Sequence, residues 1–510
     1  MTHLQALLKN SVRQCPTKTA IQFEGECVSY TDLEHQVRKV AGGLQKLGIH
    51  QGDRVAWFLP NCLEAVLTTL ACYQIGAVAV PLNYRYVAEE VIDVVQRVDA
   101  RMILFHVDKM QIVQPLLPAR AGMTAVSVGS SQSTPDDVHP FSVLLETDAL
   151  VSGINVEPAT PAFILFTSGS TGHPKGVIHS HAGAFAGIET SRQVFEFTNE
   201  DVVLVGKPIS HAGGLQTQLM PALSVGARVV LSMRPTPASA VSMIQAESVT
   251  EYGMLASDLL DFVEYLEQNP TELPTLKNSI GSGDAVPTDL HHRFRDLLGW
   301  EVMEGAGMTE IGGYYAANPR FGTRKWGSLG LPTPDTELRI VTAEGDDCPS
   351  GETGEIVLRT PSATIGYWND EQATTDLFRG EWLHTGDLGH FDDDGYVWFI
   401  GRKKLMIVRR GSNIAPAEVE SIIDEHPLVH AAVVVGLRDP RDGEVPVACV
   451  ALIGKQDDSS EKTIRAYIAD QLAEYKNPVH YLFFDELPRT GTGKFDRHQL
   501  QELVAEKFGE

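Results

Sequence analysis

The chain has 510 residues, 43% hydrophobic and 21% charged, with a formal net charge of -25. That length predicts a large body with at least one smaller domain, and no apolar run approaches the roughly 20 residues of a membrane span. The acidic balance repels phosphate backbones, which argues against nucleic acid or an anionic membrane surface as a partner and requires local basic residues for any anionic substrate. The six cysteines (Cys15, Cys27, Cys62, Cys72, Cys348, Cys449) lack CxxC or metal-ligand spacing, which fits a reducing cytoplasm and excludes structural zinc. Met1 to Pro16 mixes Lys9 and Arg13 with polar residues and has no apolar h-region, so no signal peptide is expected.

From Tyr30 to Phe105, helical patterns alternate with short apolar runs, Val55 to Leu59, Ala77 to Pro81 and Met102 to Phe105. That alternation predicts α/β layering, a large multi-subdomain body of β-sheets flanked by helices. Ser130 to Pro140 is rich in Ser, Asp and Pro and reads as a surface loop. Asp392-Asp393-Asp394-Gly395 is a hairpin-type turn between Leu388 to Phe391 and Tyr396 to Ile400, and the basic cluster Arg402-Lys403-Lys404 follows. The domain boundary is placed there, giving 1–403 and 404–510. The second part reads strand, helix (Pro416 to Glu425), strand (Ala431 to Gly436), strand (Val447 to Leu452), helix (Glu461 to Leu472) and strand (Tyr481 to Phe484), a small α+β lid.

One segment carries a chemical signature. Ala162 to Phe166 reads as a buried strand, Thr167-Ser168-Gly169-Ser170-Thr171-Gly172-His173-Pro174-Lys175-Gly176 as a loop, and Val177 to Ser180 as a second strand. Glycines let backbone N–H groups approach phosphate oxygens, hydroxyls add donors, and Lys175 supplies a point charge. It is not a Walker A loop: Gly176 follows the lysine in place of Ser or Thr, and Pro174 sits where the phosphate-binding helix would begin.

The loop resembles the signature of the adenylate-forming enzymes, the superfamily of acyl-CoA synthetases, firefly luciferase and peptide-synthetase adenylation domains, and the resemblance runs nearly end to end. Gly307-Met308-Thr309-Glu310 is similar to the family segment whose threonine contacts the AMP phosphate and whose glutamate holds magnesium. His384-Thr385-Gly386-Asp387 matches the block whose aspartate accepts from the ribose hydroxyls, and Gly401-Arg402-Lys403-Lys404 resembles the hinge, with Arg402 on ribose and Lys404 as pivot; Lys403 receives no role. Leu487 to Lys494 matches the C-terminal catalytic block, with Lys494 as the adenylation lysine. Arg409-Arg410-Gly411 is the candidate coenzyme A segment, and Ala285, Glu304 and Gly305 join the nucleotide residues.

The resemblance implies ATP, Mg²⁺ and coenzyme A as cofactors, with Glu310 and Thr167 at the metal. A substrate carboxylate attacks the α-phosphorus while Lys175 and Lys494 neutralise the growing charge, pyrophosphate leaves, and a thiol then takes the acyl group. The small domain rotates between the two halves. Ala306 departs from the aromatic residue that the family places before Gly-x-Thr-Glu, removing one adenine-stacking face worth roughly 1 to 3 kcal/mol. Pro208-Ile209-Ser210-His211 matches the segment with the pocket histidine, which argues against an amino acid substrate. Gly305 and Gly307 leave room beside Ala306 for a fatty or aromatic acyl chain, since apolar burial contributes about 0.8 kcal/mol per methylene. Two alternatives stay open, an acyl-AMP ligase loading a carrier protein and a nonenzymatic nucleotide-binding module; a homodimer is compatible with the resemblance.

Overall fold

Apolar runs bounded by turns become the centre of an eight-stranded sheet, in the order Gly366–Tyr367, Lys175–Ser180, Pro161–Thr167, Val78–Pro81, Arg54–Phe58, Met102–His106, Thr124–Val128, Val138–Pro140. Its inner strands pair in parallel and are buried on both faces, as βαβ crossovers require. The computed structural model describes residues 3–119, 122–129, 135–148, 154–167, 174–282, 286–410, 412–454, 460–469, 471–490 and 493–509.

A larger mixed sheet runs Glu337–Val341, Gly354–Arg359, Trp382–Phe391, Val397–Arg402, Ser328–Pro332, Gly313–Ala317, Met303–Met308, Asn278–Ser282, Glu251–Leu255, Val202–Val205, Arg228–Leu231, Thr19–Phe23, Glu26–Ser29. Helices Tyr30–Lys46, Leu63–Ile75 and His181–Phe195 join residues of both sheets in one apolar cluster around Tyr30, Trp57 and Tyr73. Leu63–Ile75 buries residues around most of its circumference, as a helix between two layers must. Ser29 and Ser180 start their helices by accepting from the amides of Asp32 and Gly183, and Ser180 does so directly at the end of its strand.

The chain leaves the large sheet at Arg402, makes the single turn Lys403–Leu405, and enters a separate five-stranded sheet at Ile407. That sheet carries the helices Pro416–Asp424, Ser460–Ala469 and Arg497–Phe508. The fold is therefore a mixed α/β body with a small α+β C-terminal unit.

Three expectations are corrected in detail. Val138–Pro140, inside the expected loop, pairs in parallel with Ala125–Ser127; Pro140, opposite Ser127, is the last residue of an edge strand, a place where a missing N–H is tolerated; residues 130–134 lie outside the described ones. The strand expected from Val447 begins at Gly443, whose φ of +82° makes a tight turn from Asp442. The helix expected to reach Leu472 ends at Ala469, and the amides of Gln471 and Leu472 both close onto the Ile468 carbonyl. Among the described residues, no helix is long and apolar enough to cross a membrane.

Candidate active site

The two strands that flank the phosphate-type loop pair with each other in an antiparallel ladder. Pro161–Thr167 pairs with Lys175–Ser180 so that Thr167 and Lys175 face each other across the ladder, closing the loop at its base. Ser168, Gly169, Ser170, Thr171 and Gly172 lie outside the described residues, as do Ala285 and Gly411.

Lys175 projects its ammonium over the ring of Tyr367, 4.9 Å from the centroid. Tyr367 in turn donates its hydroxyl to Glu310 Oε1 at 2.8 Å. Burial, then the Glu310 charge, push the phenol pKa up, so Tyr367 remains a donor at any physiological pH. The Thr309–Glu310 turn is pinned from outside as well: His179 Nε2 lies 2.7 Å from the Thr309 carbonyl, and the Thr364 amide donates to the Glu310 carbonyl at 2.6 Å. A lysine, a phenol and a carboxylate thus stand in a row with one Glu310 oxygen left outside the Tyr367 bond. An oxygen donor of this kind suits Mg²⁺, which is usually held by one or two carboxylates together with substrate phosphates. Among the described residues no group of three His, Cys, Asp or Glu side chains forms an all-protein metal cage.

On the neighbouring ladder, Asp387 and Arg402 are direct partners across Trp382–Phe391 and Val397–Arg402. Arg402 Nε lies 3.2 Å from Asp387 Oδ1, while Thr385 Oγ1 accepts from the Asp387 amide at 3.0 Å and donates to the Ile356 carbonyl. Burial raises the Asp387 carboxyl pKa against the opposing pull of Arg402 and Lys494. The buried Tyr315 phenol is pushed well up by burial and then by the nearby Asp387 charge.

Lys494 comes from the C-terminal unit. Its charge reaches both Asp387 and His211, and at Gly493 an added Cβ would lie 3.3 Å from Leu255 of the large sheet. Lys494 therefore lies on the side of the large unit that carries Asp387, His211 and Leu255. His211 sits at the start of the helical segment Ala212–Val225 with Nε2 buried and, among the described residues, unpartnered. Burial, then Lys494, push its imidazole down to about 4, so it is neutral at pH 7.

Several expected residues stand apart. Arg410 is exposed and held, with Arg409, by Asp442: Arg409 Nε to Oδ2 at 2.9 Å, Arg410 Nε to Oδ1 at 2.7 Å. Lys404 is exposed in the connecting turn. The Glu304 carboxylate, expected near the nucleotide, is consumed by the protein: Oε1 accepts from the Val286 amide at 3.1 Å, and Oε2 accepts from the Gly327 amide at 3.0 Å and meets His291 Nε2 at 2.9 Å. It is a buried joint between three segments. The room expected from Gly305 and Gly307 is also filled. A Cβ at Gly305 would lie 3.0 Å from the Tyr314 ring, and one at Gly307 would lie 2.3 Å from the Gly313 carbonyl, because Met303–Met308 and Gly313–Ala317 are adjacent antiparallel strands whose register shifts between Ala306 and Gly307.

Sequence reasoning missed Tyr367, Tyr315 and Lys207. The aromatics look like core residues and carry no local signal. Lys207 did leave one, a lysine inside the otherwise apolar run from Val202 to Ile209. It is 4% exposed, donates to Ser282 Oγ at 2.6 Å, and lines a cavity of about 260 Å³. Lys403 is tied down too, with Nζ 3.3 Å from Glu355 Oε2, an oxygen that also lies 3.2 Å from His384 Nδ1.

Against this geometry, comparison with known proteins is consistent along the whole chain. The model of the AMP-binding enzyme family matches residues 8–368, and that of the AMP-binding enzyme C-terminal domain matches 418–494. Indoleacetate–CoA ligase of Aromatoleum aromaticum is 34% identical over 502 residues, 96% of both chains. Feruloyl-CoA synthase of an Amycolatopsis species is 32% identical over 499 residues, 98% of this chain and 97% of that one. The crystal structure of an anthranilate CoA ligase in complex with anthranoyl-AMP superimposes with a TM-score of 0.93 at 24% identity, covering 99% of this chain and 98% of the other, a likeness of fold.

Proposed function

The chain belongs to the AMP-binding enzyme family, and from that membership we propose that it is an ATP-dependent, AMP-forming acid–thiol ligase. It adenylates a hydrophobic carboxylic acid, aryl or fatty, and transfers the acyl group to coenzyme A with release of AMP and pyrophosphate. Relatives that act on indoleacetate and ferulate favour an aryl acid. The observation that carries the reading is that Lys494, from one unit, lies within electrostatic reach of Asp387 and His211 of the other, where Glu310 also acts on Asp387 and Tyr367 links Glu310 to Lys175.

In the first half-reaction the acid carboxylate attacks the α-phosphorus of ATP. Lys175 and Lys494 offer positive charge where negative charge accumulates, an arrangement that lowers the barrier because the charges are already oriented. Tyr367 fixes both the Lys175 ammonium and the Glu310 carboxylate. Glu310, with Thr167, would hold Mg²⁺, which when bound neutralises phosphate charge and assists pyrophosphate departure. Asp387 accepts from the ribose hydroxyls, with Arg402 beside it. His211, neutral and buried, borders the acid rather than pairing with it as a cation.

For the second half-reaction, residues 404–510 turn about Lys404 as a unit, withdrawing Lys494 and presenting Arg410 to coenzyme A. The turn must break the Arg410–Asp442 pair or carry it along; both residues belong to the C-terminal unit, so carrying it along needs no bond broken. All six cysteines are free thiols, in keeping with a reducing compartment such as the cytoplasm.

The test is incubation with Mg-ATP, coenzyme A and a panel of indole acids, cinnamates, benzoates and fatty acids, with nucleotides and thioesters read by mass spectrometry. AMP and one acyl-CoA appearing together support the reading. An AMP-ester that builds up without thioester points to a carrier-protein acceptor, and acid-independent ADP formation overturns it.

A further inference from the structure

Lys207 is a cation in the wrong place for a structural residue. It follows the strand Val202–Val205, its backbone carbonyl accepts from Asn61 Nδ2 at 2.9 Å, and its stem passes under the His211 turn, with Cδ 3.8 Å from the position of a Cβ on Gly213. Its one side-chain hydrogen bond among the described residues goes to a neutral hydroxyl, Ser282 Oγ. Among the described residues no carboxylate lies within ion-pair distance of its Nζ; Asp258 acts on it only through space. Burial of an ammonium without a counter-ion is costly, and such a group is retained where a ligand or a proton transfer uses it.

The surroundings say which. The cavity that Lys207 lines has two further cations in its wall, Arg85 and Arg234, against one carboxylate, Asp258, which lies 3.8 Å from Arg234. In a chain of net charge -25, that is a local basic approach for a polyanion. Ser210, beside His211, and Leu255, which touches the Gly493 position next to Lys494, line the same cavity. The cavity thus joins a basic approach to the reaction centre, with Lys207 inside it.

We propose that Lys207 accepts the proton of the attacking thiol in the second half-reaction and holds the resulting thiolate as its counter-ion. The step balances without any added reactant. The S–H bond breaks as the proton moves to the neutral Nζ, the sulfur forms a bond to the acyl carbon, the bond from that carbon to the phosphate oxygen breaks, and AMP leaves with the electron pair. The proton on Lys207 returns to solvent. This rests on the coenzyme A ligase reading above.

The environment suits the exchange. Burial pushes the Lys207 ammonium down to about 8, with Asp258 opposing, so a useful fraction is neutral near the ordinary thiol range. Around it, Tyr252 and Tyr314 are neutral phenols pushed up by burial, His211 is neutral, Tyr84 is raised by burial and Asp108, and Asp258, Arg234, Arg85 and Lys494 are the nearby charges. Ser282 keeps Nζ oriented, and its own hydroxyl donates to the Met254 carbonyl at 3.4 Å.

The experiment separates the half-reactions in the full-length protein. Adenylation is read by acid-dependent ATP–pyrophosphate exchange, and thioester formation by single turnover of preformed adenylate on adding coenzyme A, using the acid best accepted in the panel above. For Lys207→Met and Lys207→Arg, exchange should stay within about threefold of the unaltered protein, while thioester formation falls about 100-fold or more at pH 7. The deficit should shrink as pH rises past the thiol pKa, because ionised thiol no longer needs a base. A deficit independent of pH, an equal loss in both half-reactions, or full rescue by Arg overturns the proposal, since each marks a structural or purely electrostatic role. If the unaltered protein makes adenylate and no thioester, the coenzyme A reading itself fails; if it makes thioester and Lys207→Met does so equally fast, only the role of Lys207 fails.

Discussion

Tyr367→Phe isolates the hydroxyl that ties Glu310 in place. The ring stays, so the Lys175 ammonium keeps its seat 4.9 Å above it, and only the 2.8 Å bond to Glu310 Oε1 is lost. A hydrogen bond to a charged acceptor contributes about 1.5 to 3 kcal/mol. Tyr367 and Glu310 are both half-buried, which favours the lower part of that range. At about 1.4 kcal/mol per decade, adenylation should fall roughly 10- to 30-fold in kcat/KM. Tyr367→Leu removes the cation–π seat as well, a further 0.5 to 1 kcal/mol or about two- to fivefold. Pyrophosphate exchange at varied Mg²⁺ measures both. Wild-type exchange by Tyr367→Phe, or a loss confined to the thioester step, would refute the assignment of Glu310 and Lys175 to one phosphate-facing row.

Other consequences are open to direct measurement. Gly307→Ala should abolish the site, because the new Cβ would lie 2.3 Å from a backbone carbonyl; a soluble variant with full exchange would contradict this. Glu251→Ala removes the carboxyl 2.7 Å from the Arg320 guanidinium, which keeps its bonds to the Phe195 and Glu196 carbonyls, and should cost about 1 to 3 kcal/mol, read as a lowered Tm of the N-terminal unit. His179, His181 and His211 are each pushed down by burial to about 4 from 6.5. The unfolded chain binds those protons first, so stability falls as pH drops from about 6.5 toward 4, by about 1.4 kcal/mol per pH unit for each histidine, and His181→Gln should make the Tm profile shallower over that window.

Much of the site was readable in the residues themselves. The strand–loop–strand around Lys175 follows from apolar runs bounding a Gly/Ser segment, and the hairpin at Asp392 to Gly395 from its turn chemistry. What escaped the sequence depends on contacts distant in the chain. Tyr367 meets Glu310 and Lys175 only because Gly366–Tyr367 adds as an edge strand to Lys175–Ser180. Glu304 looked like a nucleotide ligand by position, yet the folded chain supplies three partners to its carboxylate, two of them backbone amides with no sequence signature. Gly305 and Gly307 read as empty space because a missing side chain does not reveal what packs into the gap. Lys207 was visible as a charge in an apolar run, but its burial and its cavity were not.

The central claim is that a carboxylate oxygen of the acid attacks the α-phosphorus of ATP. It is tested most directly by supplying the acid labelled with ¹⁸O in both carboxylate oxygens, together with Mg-ATP and coenzyme A, and weighing the products. The account predicts one ¹⁸O in AMP, none in pyrophosphate, one in the thioester, and loss of all labelled AMP in Lys494→Ala. Unlabelled AMP, or label in ADP or inorganic phosphate, would contradict it.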